Sequence, residues 1–184
     1  MKTETKIQTP AQWIEDYNNQ GKVMITLPDL FGTNKSFIKC VRESCTQCWV
    51  PTSTVTTFEN NLSGKVSQNY GSKIVTSKNS SIDLIPVLEE VPLNQIVKDE
   101  EALKYVGLLM GNANAKPEYL FDMFLRFMKI IPEKILVSTS TEEERKIRPS
   151  RVAGIYLEKD ILHLNCNGSF SGKGISYGYY PKKK

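Results

Sequence analysis

The sequence predicts an α+β fold, in which a mostly antiparallel sheet packs against a helical pair and a short helix stands at the N-terminus. Residues 151–166 alternate apolar and polar side chains on both sides of Lys159 and Asp160, a pattern typical of a β-hairpin. Residues 117–131 instead repeat apolar side chains at helical spacing, which is typical of a helix with one buried face.

Length and composition predict a single domain. The 184 residues, of which 40% are hydrophobic and 24% charged, suit one globular α+β domain that spans residues 1–184. No apolar run approaches the roughly 20 residues that a membrane span needs, and the first residues carry charge without the apolar centre of a secretion signal. We therefore expect a cytoplasmic protein with no membrane contact, and no feature of the sequence indicates an oligomeric state.

The N-terminal helix is predicted from its capping residues. Thr9 has the position of an N-cap, Pro10 that of the first helical residue, and Gln12 closes a capping box. Gly21 is a natural end for this helix. The elements predicted next are strands, at residues 22–28, 35–41 and 49–58.

The middle of the chain holds the longest polar segment. Residues 59–81 are rich in turn-forming side chains and predict a long loop or protruding hairpin, with a short strand at residues 73–76. Pro86 and Pro92 interrupt the apolar segment 82–97, which we expect to cover the core in extended conformation.

Two helices follow, at residues 99–110 and 117–131, and the second is predicted to be the main core helix. Its charged side chains lie opposite its apolar stripe, so we interpret the stripe as packing rather than as a cofactor site. The stripe consists of Tyr119, Leu120, Met123, Phe124, Phe127, Met128 and Ile131.

The C-terminal third is predicted to supply most of the sheet. A strand at residues 133–140 precedes a short helical turn that Thr141 or Ser140 caps. In the hairpin, Tyr156 and His163 pair on one face, and the apolar pairs of the other face are Leu157 with Leu162, Ile155 with Leu164, and Ala153 with Cys166. The final elements are a strand at residues 175–180 and a flexible lysine tail at 182–184.

The cysteines suggest a metal site. Cys45-x2-Cys48 has the spacing with which two thiolates reach one zinc ion. His163 and Cys166 offer a second half-site, and Cys40 competes with His163 for a third position. The predicted hairpin opposes this set, because alternation points His163 and Cys166 to opposite faces. A structural zinc on these five residues and a metal-free core that uses Cys166 for packing therefore both remain open.

The run Cys40-x4-Cys45-x2-Cys48, with Cys166 remote, resembles the ligand spacing of plant-type ferredoxins. The resemblance covers this run alone. The residues within it are larger than the small residues of that family, and the fourth cysteine lies far beyond the family's usual interval. The zinc interpretation is preferred for that reason.

Basic residues suggest a surface for anions. The stretch ERKIRPSR places Arg145, Lys146, Arg148 and Arg151 around a predicted helix end, where guanidinium groups grip phosphates or a partner's carboxylates. The alternative is a solvated face on which the glutamates at 142–144 act as counter-charges.

The C-terminal stretch GKGISYGYYPKKK interleaves tyrosines with lysines. Such side chains stack bases and hold phosphates in single-strand-binding proteins, and the candidates are Lys173, Tyr177 and Tyr179. The alternative is an edge strand with a solubilising tail.

Two classes of function follow. The net charge of +4 permits attraction to nucleic acid without requiring it, and no nucleophile, phosphate-loop or hydrolase motif favours an enzyme. The first hypothesis is a small nucleic-acid-associated binding protein, with zinc as a stabilising cofactor. The second is a protein-interaction module that uses residues 59–81, such as an assembly component or an inhibitor. The excess of Lys, Asn and Ile is typical of AT-rich genomes and places phage and mobile-element accessory proteins among the candidates.

Overall fold

The computed structural model describes residues 6–32 and 35–182, and this part of the chain forms two sheets and seven α-helices. The helices are α1 (Pro10–Asn19), α2 (Leu27–Leu30), α3 (Lys35–Cys45), α4 (Leu93–Ile96), α5 (Glu100–Leu109), α6 (Pro117–Met128) and α7 (Glu142–Ile147). The strands are β1 (Val23–Met24), β2 (Val50–Phe58), β3 (Gly64–Gln68), β4 (Lys78–Ile82), β5 (Val91–Pro92), β6 (Ile135–Ser138), β7 (Ser150–Glu158), β8 (Ile161–Gly168) and β9 (Gly178–Tyr179).

The larger sheet has seven strands in the order β4-β3-β2-β7-β8-β6-β5. Every neighbouring pair is antiparallel except β6 and β8, which are parallel. This mostly antiparallel sheet, together with the helices, confirms the predicted α+β class.

One face of the sheet packs against helices α5 and α6. Tyr105 of α5 and Phe124 of α6 are fully buried in the same cluster as Val137, Ile155 and Leu164 from three neighbouring strands. The hydrophobic contact area of this cluster stabilises the fold, because apolar surface removed from water contributes about 25 cal/mol per Å².

A second, smaller assembly joins the two ends of the chain. Strand β1 pairs with β9, and the Trp13 indole of α1 donates a hydrogen bond to the Gly174 carbonyl at 2.9 Å. The Tyr17 hydroxyl donates to the Ser176 carbonyl at 2.8 Å. These bonds hold the C-terminal segment on the surface of α1.

The elements with strong local signals form as predicted. Thr9 and Gln12 make a complete capping box at the start of α1, and Thr141 caps α7 in the same way. In the β7–β8 hairpin, Tyr156 faces His163, and the register also pairs Leu157 with Leu162 and Ile155 with Leu164. The register shifts beyond Gly154, so the predicted pairing of Ala153 with Cys166 is replaced by a bulge, although both residues are buried.

The prediction of a strand at residues 35–41 is wrong, because this segment lies in α3. Ile38, Val41 and Cys45 follow one another at helical spacing, and all three contact the main core. Lys39 and Cys40, which lie between them, are exposed. The predicted window was too short to separate a period of two from a period of 3.6.

The prediction of a strand at residues 22–28 holds only for Val23–Met24. Thr26 caps α2 immediately afterwards and forms a capping box with Asp29. Helix α6 also ends earlier than predicted, at Met128, because Lys129 adopts a left-handed conformation with φ of 56°. Ile131 consequently lies outside the helix and is exposed.

Residues 59–81 contain β3 and most of β4, which form a hairpin at one end of the larger sheet. The short strand predicted at residues 73–76 does not form, because this segment is the turn between them. Segment 82–97 is largely extended, as predicted, except for the short helix α4. The predicted strand at 175–180 is reduced to Gly178–Tyr179, and residues 183–184 of the predicted tail lie outside the described residues.

Candidate binding surface

Strand β4 is the edge of the larger sheet and is open to solvent. It pairs with β3 on one side, and within the described residues no strand pairs with its other side. Lys78, Asn79, Ser80 and Ser81 are exposed, and Ile82 is buried at the end of the strand. An edge strand presents a row of unpaired N–H and C=O groups, so β4 is a template for a further strand.

Contacts with β3 and at both ends of the strand hold this edge in strand conformation. The Ser67 hydroxyl of β3 donates to the Asn79 side-chain carbonyl at 2.6 Å. At one end, the Ser77 hydroxyl donates to the Asn69 carbonyl at 2.9 Å. At the other end, the Ile85 N–H donates to the Leu62 carbonyl at 2.7 Å. The edge is therefore preorganised, which lowers the entropic cost of ordering it when a partner binds.

A groove of about 850 Å³ lies at the start of β4. One wall is the segment that leads into the strand, and the other wall is the C-terminal segment. The side chains that line it are Ile74, Val75, Thr76, Ser77, Lys78, Tyr179, Pro181 and Lys182. This lining combines apolar contact area with two lysines, and among the described residues no acidic side chain is part of it.

The C-terminal wall of the groove is fixed by its own contacts. Strand β9 pairs with β1, and the Tyr179 hydroxyl donates to the Asp29 carboxylate at 3.1 Å. Burial raises the pKa of Tyr179, and the nearby Asp29 carboxylate raises it further. The phenol therefore remains a neutral hydrogen-bond donor at physiological pH.

The other end of β4 is flanked by apolar side chains. Leu62 and Leu84 are 47% and 40% exposed, and the Leu62 carbonyl accepts a hydrogen bond from the N–H of Ile85, which follows Leu84 beyond the end of β4. Two exposed leucines beside an open strand add apolar contact area at the end opposite the lysines.

Arg145, the first residue of the predicted arginine cluster, is not available to an external anion. Only 2% of its surface is exposed, and its guanidinium lies 4.8 Å from the centre of the Phe58 ring. It donates hydrogen bonds of 2.7–3.1 Å to the carbonyls of Asn61, Ile85, Pro86 and Ser140. Its assignment as a ligand-binding residue is corrected to a structural one.

The other basic residues of that cluster divide between core and surface. Arg151 is 5% exposed and donates to the Glu144 carbonyl at 3.0 Å. Lys146 and Arg148 are exposed, and the Arg148 guanidinium contacts the Ser169 hydroxyl at 3.4 Å.

The C-terminal anion-binding candidates Lys173, Tyr177 and Tyr179 do not form one surface with the arginine cluster. The Tyr177 hydroxyl binds the Cys40 carbonyl at 2.9 Å and the Ser44 hydroxyl at 2.6 Å, so this ring closes over α3. Tyr179 lines the groove beside β4, and Lys173 is exposed. The predicted anion-binding residues are therefore divided between the core and different parts of the surface.

The predicted zinc ligands are not assembled either. Cys166 lies in the main core, whereas His163 stacks on the Tyr156 ring at a centroid distance of 4.3 Å on the opposite face of the hairpin. Cys45 is buried at the end of α3, Cys48 is half-buried and Cys40 is exposed. Within residues 6–32 and 35–182 no group of three or more His, Cys, Asp or Glu side chains is arranged to hold a metal ion.

Two of the candidate thiols, those of Cys45 and Cys166, are buried, which favours their protonated form while no metal is bound. Burial raises the pKa of Cys45 to about 11 and that of Cys166 to about 12. The geometry of the described residues gives the zinc hypothesis no support, and it stays a prediction.

Comparisons with protein families, curated proteins and solved structures found no match for this chain. Among the helices of the described residues, none is long and apolar enough to cross a membrane. The open edge of β4 and the groove beside it are the structural features that the proposal below uses.

Proposed function

We propose that the protein is a non-enzymatic interaction module that binds an extended segment of a partner protein along β4. The observation that carries this proposal is the open, exposed edge of β4, which continues directly into the groove at Lys78. A segment that adds to such an edge gains main-chain hydrogen bonds, and the neighbouring pockets select its side chains.

The groove indicates the chemistry of the partner. Lys78 and Lys182 leave a positive charge there that no acidic lining residue offsets, so an acidic side chain complements it. At the other end, Leu62 and Leu84 favour an apolar side chain. The partner segment is thus an extended peptide that is acidic at the end beside Lys78 and apolar at the end beside Leu84.

A protein partner is preferred over nucleic acid as the main ligand. Binding along a nucleic acid requires several cationic side chains that face the backbone together. Arg145 donates its hydrogen bonds to main-chain carbonyls of the same molecule, and Tyr177 is held over α3. Two of the predicted candidates therefore make their contacts within the molecule.

Selection from a library of displayed extended peptides, followed by affinity measurements, tests the proposal. The selected peptides are expected to carry Asp or Glu at one end. In the double variant Lys78→Glu and Lys182→Glu, we expect these peptides to bind about tenfold more weakly, because two attractions become repulsions. The same selection on this variant is expected to yield peptides with Lys or Arg at that end.

The matched control is the double variant Lys98→Glu and Lys116→Glu. Both lysines are exposed and lie outside the groove lining, so the net charge changes by the same amount while the acidic peptides keep their affinity. The proposal fails if no peptide is selected, or if both double variants weaken binding equally.

A further inference from the structure

Two segments that are distant in sequence meet on another part of the surface. The arginine-bearing segment 145–151 and the Gly/Ser-rich turn 168–174 touch where the Arg148 guanidinium contacts the Ser169 hydroxyl at 3.4 Å. The β7–β8 register pairs Val152 with Gly168. Arg151 precedes Val152 and Ser169 follows Gly168, so the antiparallel pairing brings both residues to the same end of the β7–β8 ladder.

The serine turn is organised around one hydroxyl. Ser169 shares a hydrogen bond of 2.8 Å with the Ser171 hydroxyl, and the Ser171 N–H donates to the Ser169 hydroxyl at 3.2 Å. The turn therefore presents two hydroxyl groups beside Arg148, and hydroxyls and guanidinium groups are the donors that phosphate oxygens accept.

Arg151 adds a buried donor that has no partner. It is 5% exposed, and its Nε atom is buried without a hydrogen-bond acceptor, whereas its Nη2 atom donates to the Glu144 carbonyl. A buried charged group with an unpaired donor costs free energy. An acceptor from a ligand that paired with the Arg151 Nε–H would remove this cost.

The local charges favour a single anionic group. Burial lowers the pKa of Arg151, the Glu144 carboxylate raises it, and the charge of Arg148 lowers it again, so both charged groups act on Arg151. The Glu144 carboxylate is occupied by the N–H and hydroxyl of Thr141 and by the Asn167 amide. Two guanidinium groups opposite one carboxylate leave a net positive charge.

We propose that Arg148, Arg151 and the Ser169 hydroxyl form a binding site for a phosphate group, separate from the peptide-binding edge. The phosphate is either free or part of a nucleic acid backbone, and both sources present the same oxygen acceptors. Arg148 is the exposed donor that a ligand meets first, and Arg151 is the fixed donor behind it.

NMR titrations of the full chain, with inorganic phosphate and separately with an oligothymidylate of about fifteen nucleotides, test the site. Each titration is compared with chloride at equal ionic strength. We expect phosphate to shift the amide signals of residues 148–151 and 168–172. The variant Arg148→Gln is expected to weaken this response about tenfold, because it removes a charge-assisted hydrogen bond.

Two further variants sharpen the result. Arg126→Gln is the matched control, since Arg126 is an exposed arginine whose side-chain partner is Asp122, and it should bind phosphate like the unmodified chain. Ser169→Ala removes a hydroxyl alone and should weaken binding less than Arg148→Gln. Arg148→Gln should leave peptide binding at β4 unchanged, which separates this site from the proposed function.

The two probes distinguish the sources of the phosphate. A response to both probes that Arg148→Gln weakens supports a site for a nucleic acid backbone, and a response to inorganic phosphate alone supports a site for a free phosphate. A response that does not exceed that to chloride, or one that is equal in Arg148→Gln, overturns the proposal.

Discussion

Replacement of Arg145 by methionine is expected to lower the free energy of unfolding by about 4 kcal/mol, the largest effect of any single change proposed for this chain. Arg145 holds three separate segments together through main-chain carbonyls: Ser140 before α7, Asn61 in the turn before β3, and Ile85–Pro86 after β4. Methionine fills a similar apolar volume but donates no hydrogen bond, so these buried acceptors lose their partner.

Urea unfolding of the variant measures this loss. The free energy of unfolding of Arg145→Lys is expected to lie between those of the unmodified chain and Arg145→Met. The ammonium group of lysine donates hydrogen bonds but cannot reach the same set of carbonyls in a fixed plane. The control Arg126→Met should cost less than about 1 kcal/mol, since the Arg126–Asp122 pair is exposed. A loss below about 1 kcal/mol in Arg145→Met would show that the guanidinium does not hold these segments.

Replacement of Gly168 by alanine is expected to have the second largest effect and to lower the free energy of unfolding by about 3 kcal/mol. The Trp49 indole lies across Gly168, Gly154 and Gly172. A Cβ atom on Gly168 would overlap the Trp49 ring and lie 2.5 Å from the Val152 carbonyl oxygen. The ring is able to rotate, but a backbone atom of the neighbouring strand is not, so the strands themselves have to move apart.

Gly172→Ala is the graded comparison for this prediction. Its Cβ would lie 3.2 Å from the Trp49 ring and 3.3 Å from the Ser169 carbonyl oxygen, a tight contact that small shifts relieve. We expect a loss below about 1 kcal/mol there. Equal urea midpoints for Gly168→Ala and Gly172→Ala would contradict the close approach of Trp49 to β8.

The parts of the fold that the sequence predicts well depend on neighbouring residues. The capping boxes at Thr9 and Thr141 act over one helical turn, and the β7–β8 register follows from alternation around a two-residue turn. The sequence does not predict helix α3, because only part of its apolar stripe lies within the predicted strand. Ile38 and Val41 are in that strand, but Cys45, which completes the helical stripe, lies beyond it.

The candidate surfaces were harder to predict, for a physical reason. The local sequence does not distinguish Arg145 from Arg148. In the fold, Arg145 donates hydrogen bonds to buried carbonyls, whereas Arg148 is exposed. The difference depends on where residues 61 and 85–86 pass, which is a long-range property of the sheet. The strand order that leaves β4 at the edge is equally non-local, and the interaction role predicted for the polar segment 59–81 stays a prediction.

Amide hydrogen exchange of β4, with and without the selected acidic peptide, tests the strand-addition proposal most directly. Successive N–H groups of a strand point to opposite sides, so in the free protein every second amide of residues 78–82 is protected by β3 and the others exchange rapidly. The proposal predicts that the rapidly exchanging amides become slow when the peptide binds. If they remain fast in the peptide-bound protein, the partner does not add to β4.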